Sequence, residues 1–225
     1  MNKRLAETFT ELFEELGHRP LHEENVTHFK SNPILSDAHP QWQSYARESL
    51  EELKGPNAYP DIAVQYDLSF DAFEFRLLDE DEFNRYRLAT FRSQFYQDFT
   101  ILPVNNYRVF CRNHEKECLS RAGQRHTWTF PDAEKIFGES EAPGDFGLNG
   151  SAGWKWFAYY HFLQDLLSKV KKRKLITLSV YDSLMIGGQI TPVGKLLQSD
   201  KEANKKILVG LLKRKMREAE IPVVV

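Results

Sequence analysis

Residues 60–78 read Pro-Asp-Ile-Ala-Val-Gln-Tyr-Asp-Leu-Ser-Phe-Asp-Ala-Phe-Glu-Phe-Arg-Leu-Leu. Pro60 opens a strand over Ile62–Phe70, Ser69–Asp71 supplies a turn, and Ala72–Leu78 is the returning strand, so the stretch predicts a β-hairpin. Downstream, Asp79-Glu80-Asp81-Glu82 starts a helix running to about Phe99, with acids where the helix dipole favours them. Upstream, Gln41–Lys54 reads as a helix ended by Gly55-Pro56-Asn57. Lys3–Leu16 is amphipathic, with Leu5, Phe9, Leu12, Phe13 and Leu16 at three- and four-residue spacing, and Gly17 stops it. His18–Pro40, with three prolines and four histidines, predicts irregular structure. Beyond the hairpin we expect a short strand at Tyr107–Cys111 and short helices at His114–Ala122 and Asp132–Phe137. A long helix from about Ser151 or Trp154 to Lys171, a strand at Leu175–Tyr181 and a Gly187-Gly188 loop follow. Pro192–Leu197 and Lys201–Ala219 read as helices and Ile221–Val225 as a last strand. The alternation predicts an α/β or α+β fold, a single domain with a central mixed sheet flanked by helices.

The 225 residues are 41% hydrophobic and 28% charged, which excludes a disordered or collagen-like chain. No run reaches the roughly 18 apolar residues of a membrane-spanning helix. The first residues turn acidic at once, without an apolar signal region. Two cysteines suit a reducing compartment, so a cytoplasmic protein without a membrane role is expected. The net charge of −2 hides an asymmetry. Lys169–Arg217 holds thirteen Lys/Arg against three acids, whereas residues 1–168 hold seventeen against twenty-seven. An acidic core over 1–168 and a basic helical part over 169–225 of the same domain follow. The basic part suggests nucleic acid or an acidic protein partner, or a solvated helix face that balances the acidic core.

The hairpin carries the main functional lead. Pro60-Asp61 on one strand and Glu74-Phe75-Arg76 on the next resemble the signature of the PD-(D/E)xK nuclease superfamily. The resemblance implies Asp61 and Glu74 as ligands of Mg²⁺ or Mn²⁺, with Glu11 or Glu14 as a further upstream acid. Hard cations take such carboxylate oxygens and activate water for phosphodiester attack. Arg76 stands where that family has Lys; its planar, permanently protonated group is expected to orient a phosphate or water. The runs Asp79–Arg87 and Gly150–Asp165 also resemble a bacterial family without an assigned function.

Three other patterns bear chemistry. Cys111, His114, Cys118 and His126 are all zinc-ligand types, and His114 and Cys118 share a helix face at i, i+4, so a structural zinc site is one expectation. The same residues read alternatively as core cysteines with surface histidines, or as a cysteine–histidine dyad. Gly144, Gly147, Gly150 and Gly153 recur before a helix. They fit neither a P-loop nor a dinucleotide fingerprint, but backbone N–H groups with Ser151 and Lys155 could bind an anion. The alternative is a tight entry into a packed helix. The leading expectation is a metal-dependent nuclease-like or nucleic-acid-binding protein, with Lys169–Arg217 along the phosphate backbone. The alternative is a non-enzymatic protein-interaction module with a structural zinc.

Overall fold

The computed structural model describes residues 3–21, 26–29, 40–99, 103–199 and 201–222. In chain order these form α1 (Lys3–Glu15), β1 (Thr27–His28), α2 (Pro40–Glu52), β2 (Ala63–Val64), β3 (Leu68–Ser69), β4 (Phe73–Leu78) and a 3₁₀ turn (Glu80–Glu82). Then come α3 (Arg85–Thr90), α4 (Phe95–Asp98), α5 (Val104–Arg125), α6 (Pro131–Phe137), α7 (Ala152–Val170), β5 (Lys174–Ser179), β6 (Ser183–Ile186), β7 (Gln189–Pro192), α8 (Val193–Gln198) and α9 (Lys201–Glu218). The fold is mixed α+β. It comprises two compact units, Met1–Asn25 with Gln65–Asp79 and Lys171–Val225, and Val26–Val64 with Glu80–Val170.

The first unit is built on the sheet β3-β4-β5. β3 pairs antiparallel with β4, and β4 pairs parallel with β5 from Phe73↔Lys174 to Leu78↔Ser179. Side chains alternate across a strand, so Phe73, Phe75 and Leu77 share a face with Ile176 and Leu178. That face packs on Phe9, Leu12 and Phe13 of α1 and Leu208, Leu212 and Met216 of α9. Phe13 alone meets the rings of Phe70, Phe73 and Phe75 at 4.8, 5.5 and 5.1 Å. The opposite face of β4 carries Glu74 and Arg76, both also buried. The expected hairpin is therefore shorter than its sequence suggests. Ile62–Phe70 is not one strand: Ala63–Val64 pair with Thr27–His28 in the second unit, and only Leu68–Ser69 pair with β4. Asp67 accepts a hydrogen bond from the Leu77 N–H (2.8 Å) with its side chain, where a ladder would use a backbone carbonyl. The Gly187-Gly188 loop is the turn of a second hairpin, β6-β7, with both glycines at positive φ, as a tight turn of this kind requires.

The basic C-terminal segment is folded into this unit with acidic partners. Across its three segments the unit holds sixteen Lys/Arg and fifteen Asp/Glu, so the charge asymmetry of the sequence largely cancels within it. Lys205 pairs with Glu15 (3.0 Å), Lys174 with Glu220 (2.9 Å), Arg173 with Glu74 (2.7 Å) and Lys215 with Asp182 (3.7 Å).

The second unit is organised around α7, whose Trp154, Tyr159, Phe162, Leu163 and Leu166 are buried. The expected helix over 79–99 is broken into the 3₁₀ turn, α3 and α4. Asn84 caps α3 by accepting from the Tyr86 and Arg87 N–H groups, which starts a new helix there. Arg87 is then buried against Asp165 of α7: Nη2 donates to Oδ2 at 2.8 Å, and the Tyr96 hydroxyl donates to the same oxygen at 2.6 Å. Arg87 Nη1 donates to Tyr96 and Thr90 (3.1 and 3.2 Å). Tyr107–Cys111 is not a strand but part of the helix α5, which continues through Gly123. Its buried positions, Tyr107, Cys111, Cys118 and Ala122, form one helical stripe. Of the expected last strand, residues 223–225 lie outside the described residues, as does most of the irregular 18–40 segment. No helix among the described residues is long and apolar enough to cross a membrane.

The Arg87–Asp165 pair generates a stability prediction. Arg87→Met leaves Asp165 buried without its counter-charge and is expected to cost about 3–5 kcal/mol. Arg87→Met combined with Asp165→Leu is expected to cost less than Arg87→Met alone. Urea denaturation of the two variants checks this; equal losses would show that the pair is not coupled.

Candidate functional site

The residues expected at the hairpin belong to different units. Asp61 is in the second unit, exposed just before β2, with its carboxylate 3.8 Å from His28 Nδ1. Glu74 is in the first unit on β4, only 3% exposed. Arg173, at the entry to β5, donates to Glu74 Oε1 (2.7 Å) and to the carbonyls of Phe70 and Asp71. Its planar fork thus ties the β3–β4 turn to the start of the parallel strand. Glu74 Oε2 is buried without a hydrogen bond. Burial raises the Glu74 pKa, while the nearby Ser69 hydroxyl and the Arg173 and Lys171 cations pull it down. Arg76 lies two residues along the same strand face and donates to Thr177 Oγ1 (3.2 Å). Glu11 and Glu14 lie on the exposed side of α1.

A divalent cation at Glu74 would meet one carboxylate among three basic side chains, which does not fit the oxygen-rich, anionic shell that Mg²⁺ or Mn²⁺ requires.

The cysteine–histidine set is distributed along α5. Cys118 Sγ donates to the Asp81 carbonyl (3.0 Å) and accepts from Asn84 Nδ2 (3.8 Å). Cys111 is 1% exposed. Burial pushes the Cys111 thiol up to about 12 and raises that of Cys118 as well, whereas metal ligation and nucleophilic attack both need the thiolate. His114 faces Glu117 (3.5 Å), and His126 is an exposed, left-handed residue at the end of the helix. Among the described residues no group of three or more His, Cys, Asp or Glu side chains is arranged to hold a metal ion. This is the reading of core cysteines with surface histidines.

The glycine stretch forms a tight entry to α7. Gly150 has φ +67, and a Cβ there would meet the Tyr86 hydroxyl; a Cβ at Gly153 would meet the backbone of Thr127 and Trp128. The first N–H groups of α7 are occupied by the chain itself. Ala152 N–H donates to Ser140 Oγ, Gly153 N–H to the Trp128 carbonyl, and Trp154 N–H to Ser151 Oγ. Ser151 Oγ also donates to the Trp128 carbonyl (2.6 Å), so its hydroxyl is a helix cap. The expected anion cradle of backbone N–H groups and Ser151 is therefore not formed.

Lys155 is different. It is 2% exposed, and its Nζ donates to Asn149 Oδ1 (2.6 Å). Burial, with Lys54 as a neighbouring cation, holds the amine down to about 8.

The basic C-terminal helix presents a further surface. Lys206, Arg214 and Arg217 of α9 are exposed and Lys213 is half-exposed, all on the side opposite buried Leu208, Leu211, Leu212 and Met216. Arg214 lies 3.7 Å from Glu218. Lys206, Lys213 and Arg217 have no carboxylate within ion-pair distance among the described residues.

Residues 48–199 match the model of a family of unknown function (DUF7255). No curated protein and no solved structure matches the chain.

The folded-state amine of Lys155 titrates below an ordinary lysine, so between pH 8 and about 10.5 the unfolded chain binds the extra proton and stability rises with pH. The stability of the natural chain relative to Lys155→Met is expected to grow by on the order of 1–2 kcal/mol from pH 7.5 to 10. Paired urea titrations that give a flat difference would refute it. Alkylation by iodoacetamide at pH 8 is expected to be slow in the native protein and fast in urea at both cysteines; rapid native labelling would show that the thiols are accessible.

Proposed function

The chain belongs to the DUF7255 family, and we propose, from its own surface, that it binds nucleic acid through the solvent face of α9 without cleaving it. The observation that carries this reading is the set Lys206, Lys213 and Arg217, exposed or half-exposed along one side of α9 and not paired with carboxylates of the described residues. Lys205 and Lys215, by contrast, hold the same helix against Glu15 and Asp182. At a rise of about 1.5 Å per residue, the three lie roughly 10 and 6 Å apart along the axis, a spacing suited to successive backbone phosphates. Backbone contacts of this kind give affinity without base readout. Two free, buried cysteines support a reducing, cytoplasmic setting.

Fluorescence anisotropy of labelled single- and double-stranded oligonucleotides, measured over a salt series, tests the reading. Three phosphate contacts predict a log–log salt slope of about −2 to −3. The combined K206A, K213A and R217A variant is expected to lose about tenfold or more in affinity at low salt and most of that slope. Binding unaffected by the triple substitution, or no binding at low salt, would overturn it.

A further inference from the structure

In the second unit, α2 packs against α7, and three basic side chains, Arg47, Lys54 and Lys155, lie on these helices and the turn after α2. Lys155 and Tyr159 lie one turn apart on α7. Lys54, just after α2, acts on Lys155, and Arg47 of α2 and Tyr59 act on Tyr159. Arg47 covers the Tyr59 ring at 4.3 Å and donates to the Pro56 carbonyl (3.2 Å). Phe29 packs edge-on against both Tyr59 (6.0 Å) and Tyr159 (6.5 Å).

Two observations at this seam point to a ligand. Tyr159 is fully buried, yet its hydroxyl has no hydrogen-bond partner among the described residues. A buried polar group without a partner is costly. Lys155 is buried too, its one hydrogen-bond partner is a neutral amide oxygen, and its charged neighbour has the same sign. No carboxylate of the described residues acts on either side chain. Buried cations are ordinarily paired with anions. Here the paired charge is not supplied by the described chain, while an unsatisfied hydroxyl donor stands one helical turn away.

We propose that this α2–α7 seam binds a phosphate group, inorganic or carried by a small phosphomonoester, with Lys155, Lys54 and Arg47 as its cations and the Tyr159 hydroxyl as a neutral donor. Three cations match a doubly charged oxyanion better than a single carboxylate. Bound phosphate also restores full protonation of the Lys155 amine by placing an opposite charge beside it.

The test uses the full chain and inorganic phosphate, by isothermal titration and thermal shift at constant ionic strength and pH 7.5. Tyr159→Phe, Lys155→Met and, as a control on α9, Lys206→Met are measured alongside. Saturable binding with a Kd below about 1 mM is expected in the natural chain and unchanged in Lys206→Met. Tyr159→Phe removes an unpaired hydroxyl, so it is expected to melt no lower than the natural chain while binding phosphate about fivefold more weakly. Lys155→Met is expected to abolish binding. A parallel titration with glycerol 3-phosphate assigns the source of the group: tighter binding than inorganic phosphate indicates an ester, and weaker or equal binding the inorganic ion. Absence of phosphate binding in the natural chain overturns the proposal. So does equal affinity in Tyr159→Phe, which keeps the test open should Lys155→Met fail to fold.

Discussion

The second unit depends on one buried charge pair. Arg87 and Asp165 lie on helices α3 and α7, and each would be prohibitively costly in the interior without the other. Tyr96 and Thr90 take up further hydrogen-bonding capacity of the guanidinium, so α3, α4 and α7 are held in one mutual arrangement. This explains why the acidic run before Arg85 does not simply extend as one long helix. Asn84 must restart the backbone so that Arg87 points inward. The specificity comes from geometry, since an apolar replacement of both partners would bury about as well but would not select this register.

A second constraint is electrostatic and acts in the first unit. The basic tail is abundant in the sequence, yet four of its cations are tied to acids contributed by α1, β4 and the tail itself. Arg173 illustrates the effect. It is one of the charges that made the tail look like a nucleic-acid surface, and in the fold it clamps a β-turn and the Glu74 carboxylate. The face of α9 that looks away from the apolar core keeps Lys206, Lys213 and Arg217 outside these ion pairs.

Much of the architecture was legible. Apolar spacing revealed α1, the Gly55-Pro56-Asn57 stop marked the end of α2, and β4 and β5 were read as strands. What was hidden has physical causes. In α5 the buried stripe is made of Tyr107, Cys111, Cys118 and Ala122, residue types too mixed to mark a hydrophobic face, so two short elements were read where one helix exists. Strands β1 and β2 span two residues each, too short for alternation to register, and this broke the expected hairpin. Lys155 stood out beside its glycines, but the neighbours that give it meaning did not. Arg47, Lys54 and Tyr159 converge only through helix packing, and no local pattern encodes that.

The interleaved segments of the first unit have a consequence for biogenesis. Phe73 pairs with Lys174, and the Glu80–Val170 segment of the second unit is encoded between them. On the ribosome β4 emerges long before its parallel partner, so its apolar face must wait while the intervening residues are made. The nested unit is translated in full before the residues that complete the sheet. Once folded, it replaces a long floppy loop with a preformed connector and reduces the loop-closure entropy of bringing β4 and β5 together. The sheet of the first unit can therefore close only after Glu80–Val170 has been synthesised.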